Sequence, residues 1–70
     1  MKEISFSLKA DFIPLIQLLK YTGIAESGAH ASTMVMDKEV LCNGQVELRK
    51  RYKVVKGDVI IAENTSIKII

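Results

Sequence analysis

Residues 40 to 60 read VLCNGQVELRKRYKVVKGDVI, and this stretch decides the second half of the fold. Asn43-Gly44 follows an apolar triplet and predicts a two-residue type I′ hairpin, in which both central residues take a positive φ. Lys56-Gly57-Asp58 and Glu63-Asn64-Thr65 predict two further turns. The residues around these turns predict short antiparallel strands, including a buried strand over Val59–Ala62 and a last strand over residues 66–70.

The same stretch contains the basic segment, residues 49–56, which reads RKRYKVVK. It holds five of the ten lysine and arginine residues and no acidic residue, so its formal charge is +5 while the rest of the chain sums to −3. A basic stripe on a mildly acidic domain indicates affinity for a polyanion. The alternative is a solvated face that favours only solubility, and charge alone leaves the two readings about equal.

The first half of the chain predicts one strand and two helices. Ile4, Phe6 and Leu8 alternate with serines, which is the period-2 pattern of a half-buried strand. Asp11 is a candidate N-cap for a first helix that begins at residue 12 or 14, with Pro14 in its first turn. Its apolar stripe comprises Phe12, Leu15, Ile16 and Leu19.

Gly23 is a natural residue to end the first helix, and Ser27 is a candidate N-cap for a second helix over residues 28–36. The small residues of this second helix would let it pack closely on the first. The order of elements, a strand, two packed short helices and then hairpins, predicts an α+β fold. A length of 70 residues fits one domain, spanning 1–70.

Composition excludes several classes of function. One cysteine and one histidine allow no internal disulfide, no cysteine-based zinc site and little triad chemistry. The acidic residues show no paired spacing for acid–base catalysis. We therefore expect a protein that is not an enzyme and that binds no metal and no cofactor. No apolar run reaches the ~20 residues of a membrane span and no signal-peptide core is present, so we expect a cytoplasmic protein.

From about residue 12 to residue 62 the chain resembles the S4 RNA-binding domain family, most of all its small stand-alone bacterial members. The family combines a leucine-rich helix, a serine that opens a second helix, a Val-x-Val-Asn-Gly hairpin and a later Val-x-x-Gly-Asp-x-Ile. The matching residues are Leu15, Leu18, Leu19, Gly23, Ala25, Ser27, Ala31, Met34, Val35, Val40, Cys42, Asn43, Gly44, Val54, Gly57, Asp58 and Ile60. The resemblance implies the alpha-L RNA-binding fold and a structured RNA, ribosomal or transfer RNA, as partner.

Four positions depart from the family pattern. Pro14 and Gly28 stand where arginine is frequent, Ile16 stands where aspartate is frequent, and Lys38 replaces a glycine. Two frequent RNA-facing arginines are therefore absent. The turn after the second helix must therefore be made differently, with Asp37 or Lys38 as candidates for a positive φ.

We expect the basic segment to bind phosphate, with recognition of RNA shape rather than sequence. If the segment is extended, the odd-numbered residues from 49 to 53 face solvent together, and the even-numbered ones share the inward face of Val54. Tyr52 is then more simply a packing residue than a stacking one. The predicted RNA-binding residues of the segment are Arg49, Lys50, Arg51, Lys53 and Lys56.

The start of the second helix is a second candidate anion site. Free N–H groups near Gly28 and the helix dipole favour a negative partner there, with Ser27 as cap and His30 as a possible donor. Lys20 and Lys38 would lie at its rim. The simpler reading is an ordinary serine N-cap beside a surface histidine.

Two other functions remain open from the sequence. A small adaptor that binds an acidic protein partner gains weight from the missing arginines. Duplex DNA binding is weaker, because the second helix offers no arginine or asparagine to base edges. We expect a monomer with no membrane partner and no small-molecule substrate.

Overall fold

The computed structural model describes residues 1–70 and confirms the α+β class. Its elements are β1 (Lys2–Phe6), β2 (Ile13–Pro14), α1 (Leu15–Tyr21), α2 (Gly28–Met36), β3 (Leu41–Cys42), β4 (Gln45–Val46), β5 (Lys53–Val54), β6 (Val59–Ala62) and β7 (Thr65–Ile69). Five strands form one sheet in the order β1-β7-β6-β3-β4, and β2 pairs separately with β5. Neither helix has the length and apolarity that crossing a bilayer requires.

The strands that follow α2 pair antiparallel as predicted, but β1 pairs parallel with β7, with Ile4 opposite Ile67. The sequence predicted the first strand but neither its partner nor its direction. Alternation of apolar residues specifies which face of a strand is buried but says nothing about its direction. A parallel pair requires a long crossover, and here α1, α2 and the hairpins supply it.

The predicted turns have the backbone conformations that their residues favour. Asn43 and Gly44 have φ values of 52° and 87°, which confirms the hairpin with two left-handed residues. Lys38, and not Asp37, takes the positive φ after α2, at 63°. The Asn43-Gly44 turn therefore follows the preference of its residues, whereas Lys38 holds a left-handed conformation that a lysine does not favour.

The predicted start of the first helix is wrong. α1 begins at Leu15, and Pro14 before it is extended, with φ −60° and ψ 141°. Residues 13 and 14 pair instead with Val54 and Lys53 of β5. This pairing removes Asp11 from the cap position, and it leaves Phe12 outside the helix and 40% exposed.

The second helix confirms the predicted N-cap, because the Ser27 Oγ accepts a hydrogen bond from the His30 N–H at 3.1 Å. α1 and α2 pack against each other and cover one face of the sheet. They do so with the leucines of α1 and with Ala31, Met34 and Val35 of α2, all members of a single 16-residue core. Cys42 is a buried free thiol of this core.

Gly57 and Gly28 are a matched pair of substitution sites that differ in backbone conformation. Gly57 has φ +97°, whereas Gly28 is helical and a Cβ there meets no atom within 4 Å. We expect Gly57→Ala to lower the free energy of unfolding by about 1–2 kcal/mol, because an L side chain is strained at positive φ. Gly28→Ala should be neutral or stabilise by up to about 1 kcal/mol. Urea unfolding of both variants measures this, and equal effects would contradict it.

Candidate nucleic-acid interface

The basic segment contains a tight turn rather than a continuous strand. The Tyr52 N–H donates to the Arg49 carbonyl at 3.1 Å, which places Lys50 and Arg51 at the tip of the turn. Only residues 53 and 54 of the segment are in a strand. The predicted alternation of faces is therefore wrong from residue 49 to residue 52, since it assumed an extended backbone.

The N-terminus of α1 holds this turn in place. The Leu15 N–H donates to the Tyr52 carbonyl at 2.9 Å, and the Ile16 N–H donates to the Lys50 carbonyl at 3.4 Å. The first N–H groups of a helix have no partner inside the helix, so they need acceptors from elsewhere. Carbonyls of the basic segment fill this role, and its backbone therefore faces inward while its charged side chains are exposed.

Arg49 makes the one ion pair of the protein. Its Nε and Nη2 donate to the two carboxylate oxygens of Glu47 at 2.9 and 3.1 Å, and its guanidinium lies 5.0 Å from the centre of the Tyr52 ring. The Arg49 side chain is 72% exposed and the Glu47 side chain 12%. Hydrogen bonds from Arg49 hold the pKa of Glu47 below its usual range. The pair orients the guanidinium and also competes for any anion that Arg49 would bind. Glu47 was not singled out in the sequence analysis. Its position two residues before Arg49 is the signal that could have indicated the ion pair.

Arg49, Arg51 and Lys53 surround one surface depression of about 380 Å³, with Tyr52 beside them; we call this the basic depression. The Lys53 Nζ also lies 5.0 Å from the centre of the Phe12 ring. Arg51 and Lys53 have no carboxylate partner. The three side chains predicted to share a face do share a surface, although a turn brings them together rather than strand alternation.

The buried carboxylate of Asp58 connects the basic segment to the sheet through hydrogen bonds. Asp58 is 8% exposed, and its Oδ1 accepts from Asn43 Nδ2 at 3.0 Å. Its Oδ2 accepts from the Tyr52 hydroxyl and from the Val55 N–H, both at 3.0 Å. Asn43 Oδ1 in turn accepts from the Val59 N–H at 2.9 Å. One hydrogen-bond network thus joins the Asn43-Gly44 turn to the Gly57-Asp58 turn. The sequence predicted both turns but no contact between them.

The network shifts the pKa values of its members. Burial raises the pKa of Asp58, but the hydrogen bonds from Asn43, Val55 and Tyr52 outweigh it, and the net pKa is lowered. The adjacent Cys42 thiol, burial and the bond to Asp58 raise the pKa of Tyr52. Burial raises the pKa of Cys42 as well, so this thiol stays protonated and is a poor nucleophile.

We expect Asp58 to make the protein sensitive to acid. Because its pKa is lower in the folded state than its ordinary value of 3.8, the carboxylate stabilises the fold above that value. The contribution is lost as pH falls through the lowered folded pKa. Urea unfolding from about pH 5 to about pH 2 should show a steeper loss for the wild type than for Asp58→Asn. Parallel curves would contradict this.

The N-terminus of α2 differs from the prediction in one respect. The His30 N–H is not free, because it bonds to Ser27, and His30 Nδ1 accepts from the Glu26 N–H at 3.0 Å. The imidazole proton of the neutral ring therefore lies on Nε2, its remaining donor. The N–H groups of Gly28 and Ala29 have no partner within the protein.

The predicted site residues fall into separate groups. His30 lines a different depression, together with Lys2, Glu26 and Glu63, and this depression shares no residue with the basic one. The exposed predicted residues that line neither of these two depressions are Lys20, Ser27, Lys38, Lys50 and Lys56. The basic depression is therefore the place where predicted cations converge.

Comparisons with known proteins identify the relatives of the chain. The S4 domain profile matches residues 6–70. YbcJ of Escherichia coli (strain K12), named as a candidate RNA-binding protein, is 37% identical over 67 residues, which cover 94% of this chain and 96% of YbcJ. YbcJ of Shigella flexneri aligns with the same figures. The solution structure of Escherichia coli YbcJ, described as revealing an alfaL motif involved in RNA binding, matches with a TM-score of 0.72 over 94% of this chain and 85% of that one. The resemblance drawn from the motifs is confirmed, and the chain belongs to the S4 domain family.

Proposed function

We propose that this chain is a non-catalytic protein that binds structured RNA through phosphate contacts. The observation that carries the proposal is the basic depression, in which Arg49, Arg51 and Lys53 converge on backbone that α1 and Asp58 hold in place. Guanidinium groups held in this way bind phosphate oxygens with two parallel hydrogen bonds. Membership of the S4 family and the RNA-binding description of YbcJ support the proposal.

The other predicted residues extend this surface in the proposal. Lys50 and Lys56 add mobile charges beside the depression, and Lys20 and Lys38 add charges near the helices. A second phosphate contact lies at the start of α2, which Ser27 caps. There the Gly28 N–H has no partner within the protein, and His30 Nε2 is a further donor. Phosphate contacts carry little sequence information, so the proposed specificity is for the shape of a folded RNA.

A mobility-shift titration with a ribosomal RNA stem-loop tests the proposal. If about four phosphates are neutralised, the slope of log K against log salt should be about −3 to −4 by counterion release. No binding at low salt, or a slope near zero, rejects phosphate-based RNA binding. Ribosomal or transfer RNA as the partner, a monomeric state and a cytoplasmic location remain predictions from the sequence.

The alternative function is an adaptor for an acidic protein. The absence of arginine at Pro14 and Gly28 favours it, because two cations frequent on the RNA-facing surface of the family are missing. Purification from cells separates the two functions. Co-purifying nucleic acid with strong absorbance at 260 nm supports RNA binding, whereas a stoichiometric acidic protein supports the adaptor.

Release of Arg49 from its partner should strengthen RNA binding. Glu47→Gln removes the competing carboxylate, so we expect affinity at low salt to rise by a few-fold and the salt slope to steepen by up to about 1. Glu3→Gln, at an exposed acid on β1, makes the same charge change as a control. A similar gain in both variants would mean that only net charge matters.

A further inference from the structure

An aromatic surface lies next to the basic depression. Phe6, Phe12 and Tyr21, three of the four aromatic residues of the chain, line a mostly apolar depression of about 390 Å³; we call this the aromatic depression. Tyr21 is 68% exposed, and its ring lies 6.3 Å from that of Phe6 at an interplanar angle of 31°. Phe12 is also exposed, whereas Phe6 is partly buried against the core. Exposed aromatic rings that gather around one depression indicate a binding site.

Lys53 joins the two depressions. It lines the basic depression, and its Nζ lies over the ring of Phe12, which lines the aromatic one. Lys9 adds a second cation to the aromatic depression, and no acidic residue lines either of the two. A ligand that suits both must have a flat apolar face and, next to it, a negative charge. A nucleobase with its phosphate has this chemistry.

We propose that the aromatic depression holds one unpaired base of the bound RNA, while Lys53 and the basic depression bind the adjacent phosphate. The inference rests on the proposed function and deepens it, because it names the RNA feature that is recognised: a bulged or looped-out base beside a helix. Stacking on aromatic rings accepts any base, since every base has a π-face. Gln17 and Ser7 line the same depression and can bond to base edges.

The experiment compares three RNA stems of one sequence: fully paired, with a single bulged purine, and with an abasic bulge. We expect the wild type to bind the purine bulge about 5- to 150-fold more tightly than the abasic bulge, the range of one base–aromatic stack. Tyr21→Ala should lose most of this preference, and Tyr21→Phe should keep it. The salt slope of Tyr21→Ala should stay at the wild-type value, because no phosphate contact is removed.

Met36→Ala is the matched control, because Met36 is 62% exposed on α2 and lines neither depression; we expect it to keep the preference. Equal affinity of the wild type for purine and abasic bulges overturns the inference and leaves the proposed function intact. Failure to bind any of the three RNAs overturns both. Self-association in sedimentation that Tyr21→Ala abolishes would assign the aromatic depression to a protein contact, and would overturn the inference as well.

Discussion

Asp58→Ala will lower the free energy of unfolding by about 3–5 kcal/mol, the largest effect we expect from a single substitution. The change leaves the Asn43 amide, the Tyr52 hydroxyl and the Val55 N–H without their acceptor. Each partly buried donor without a partner costs about 1–3 kcal/mol. A domain of this size has a stability of roughly 4–10 kcal/mol, so much of it depends on this carboxylate.

Urea unfolding followed by circular dichroism measures the effect. Asp11→Ala is the matched control, since Asp11 is exposed and makes no hydrogen bond through its side chain, and we expect it to change stability by less than about 0.5 kcal/mol. Tyr52→Phe removes a single bond of the network and should cost about 1 kcal/mol. A loss below about 1 kcal/mol for Asp58→Ala would mean that the network does not hold the basic segment.

The triple substitution Arg49→Ala/Arg51→Ala/Lys53→Ala will weaken RNA binding by about 10²- to 10³-fold at about 0.1 M salt. Three lost phosphate contacts remove nearly three released counterions, so the salt slope should become shallower by about 2–3. The three side chains are exposed, and the fold should survive their removal. Mobility-shift titrations at several salt concentrations measure both quantities.

A charge-matched pair of double variants separates the site from net charge. Arg51→Ala/Lys53→Ala and Lys2→Ala/Lys68→Ala each remove two exposed positive charges, but only the first pair lies at the basic depression. The first variant should lose far more affinity than the second. This pair also leaves Arg49 bound to Glu47, so that the partly buried Glu47 carboxylate keeps its partner. Equal losses would contradict a defined phosphate site.

Much of the secondary structure was predictable because it depends on neighbouring residues. The serine cap of α2, the Asn43-Gly44 turn and the strand over Val59–Ala62 all follow from preferences of short segments. A positive φ at Asp37 or Lys38 was expected from the missing family glycine, and the structure places it at Lys38. These features needed no knowledge of the rest of the molecule.

Other features required partners that are distant along the chain. The start of α1 depends on the pairing of residues 13 and 14 with β5, and the turn at Lys50 and Arg51 depends on N–H groups at the start of α1. The direction of β1 depends on β7, the last strand of the chain. No local pattern contains this information, because each contact joins residues separated by tens of positions.

By itself, the sequence determined the class of the fold, the placement of its turns and the concentration of positive charge after the hairpin, since composition and local backbone preference suffice for these. Only the tertiary structure decided which cations meet around one depression, which one is paired with a carboxylate, and that Phe6, Phe12 and Tyr21 lie beside them. The reason is physical: a surface is assembled from several segments, and the hydrogen bonds that bring those segments together form only when the core packs.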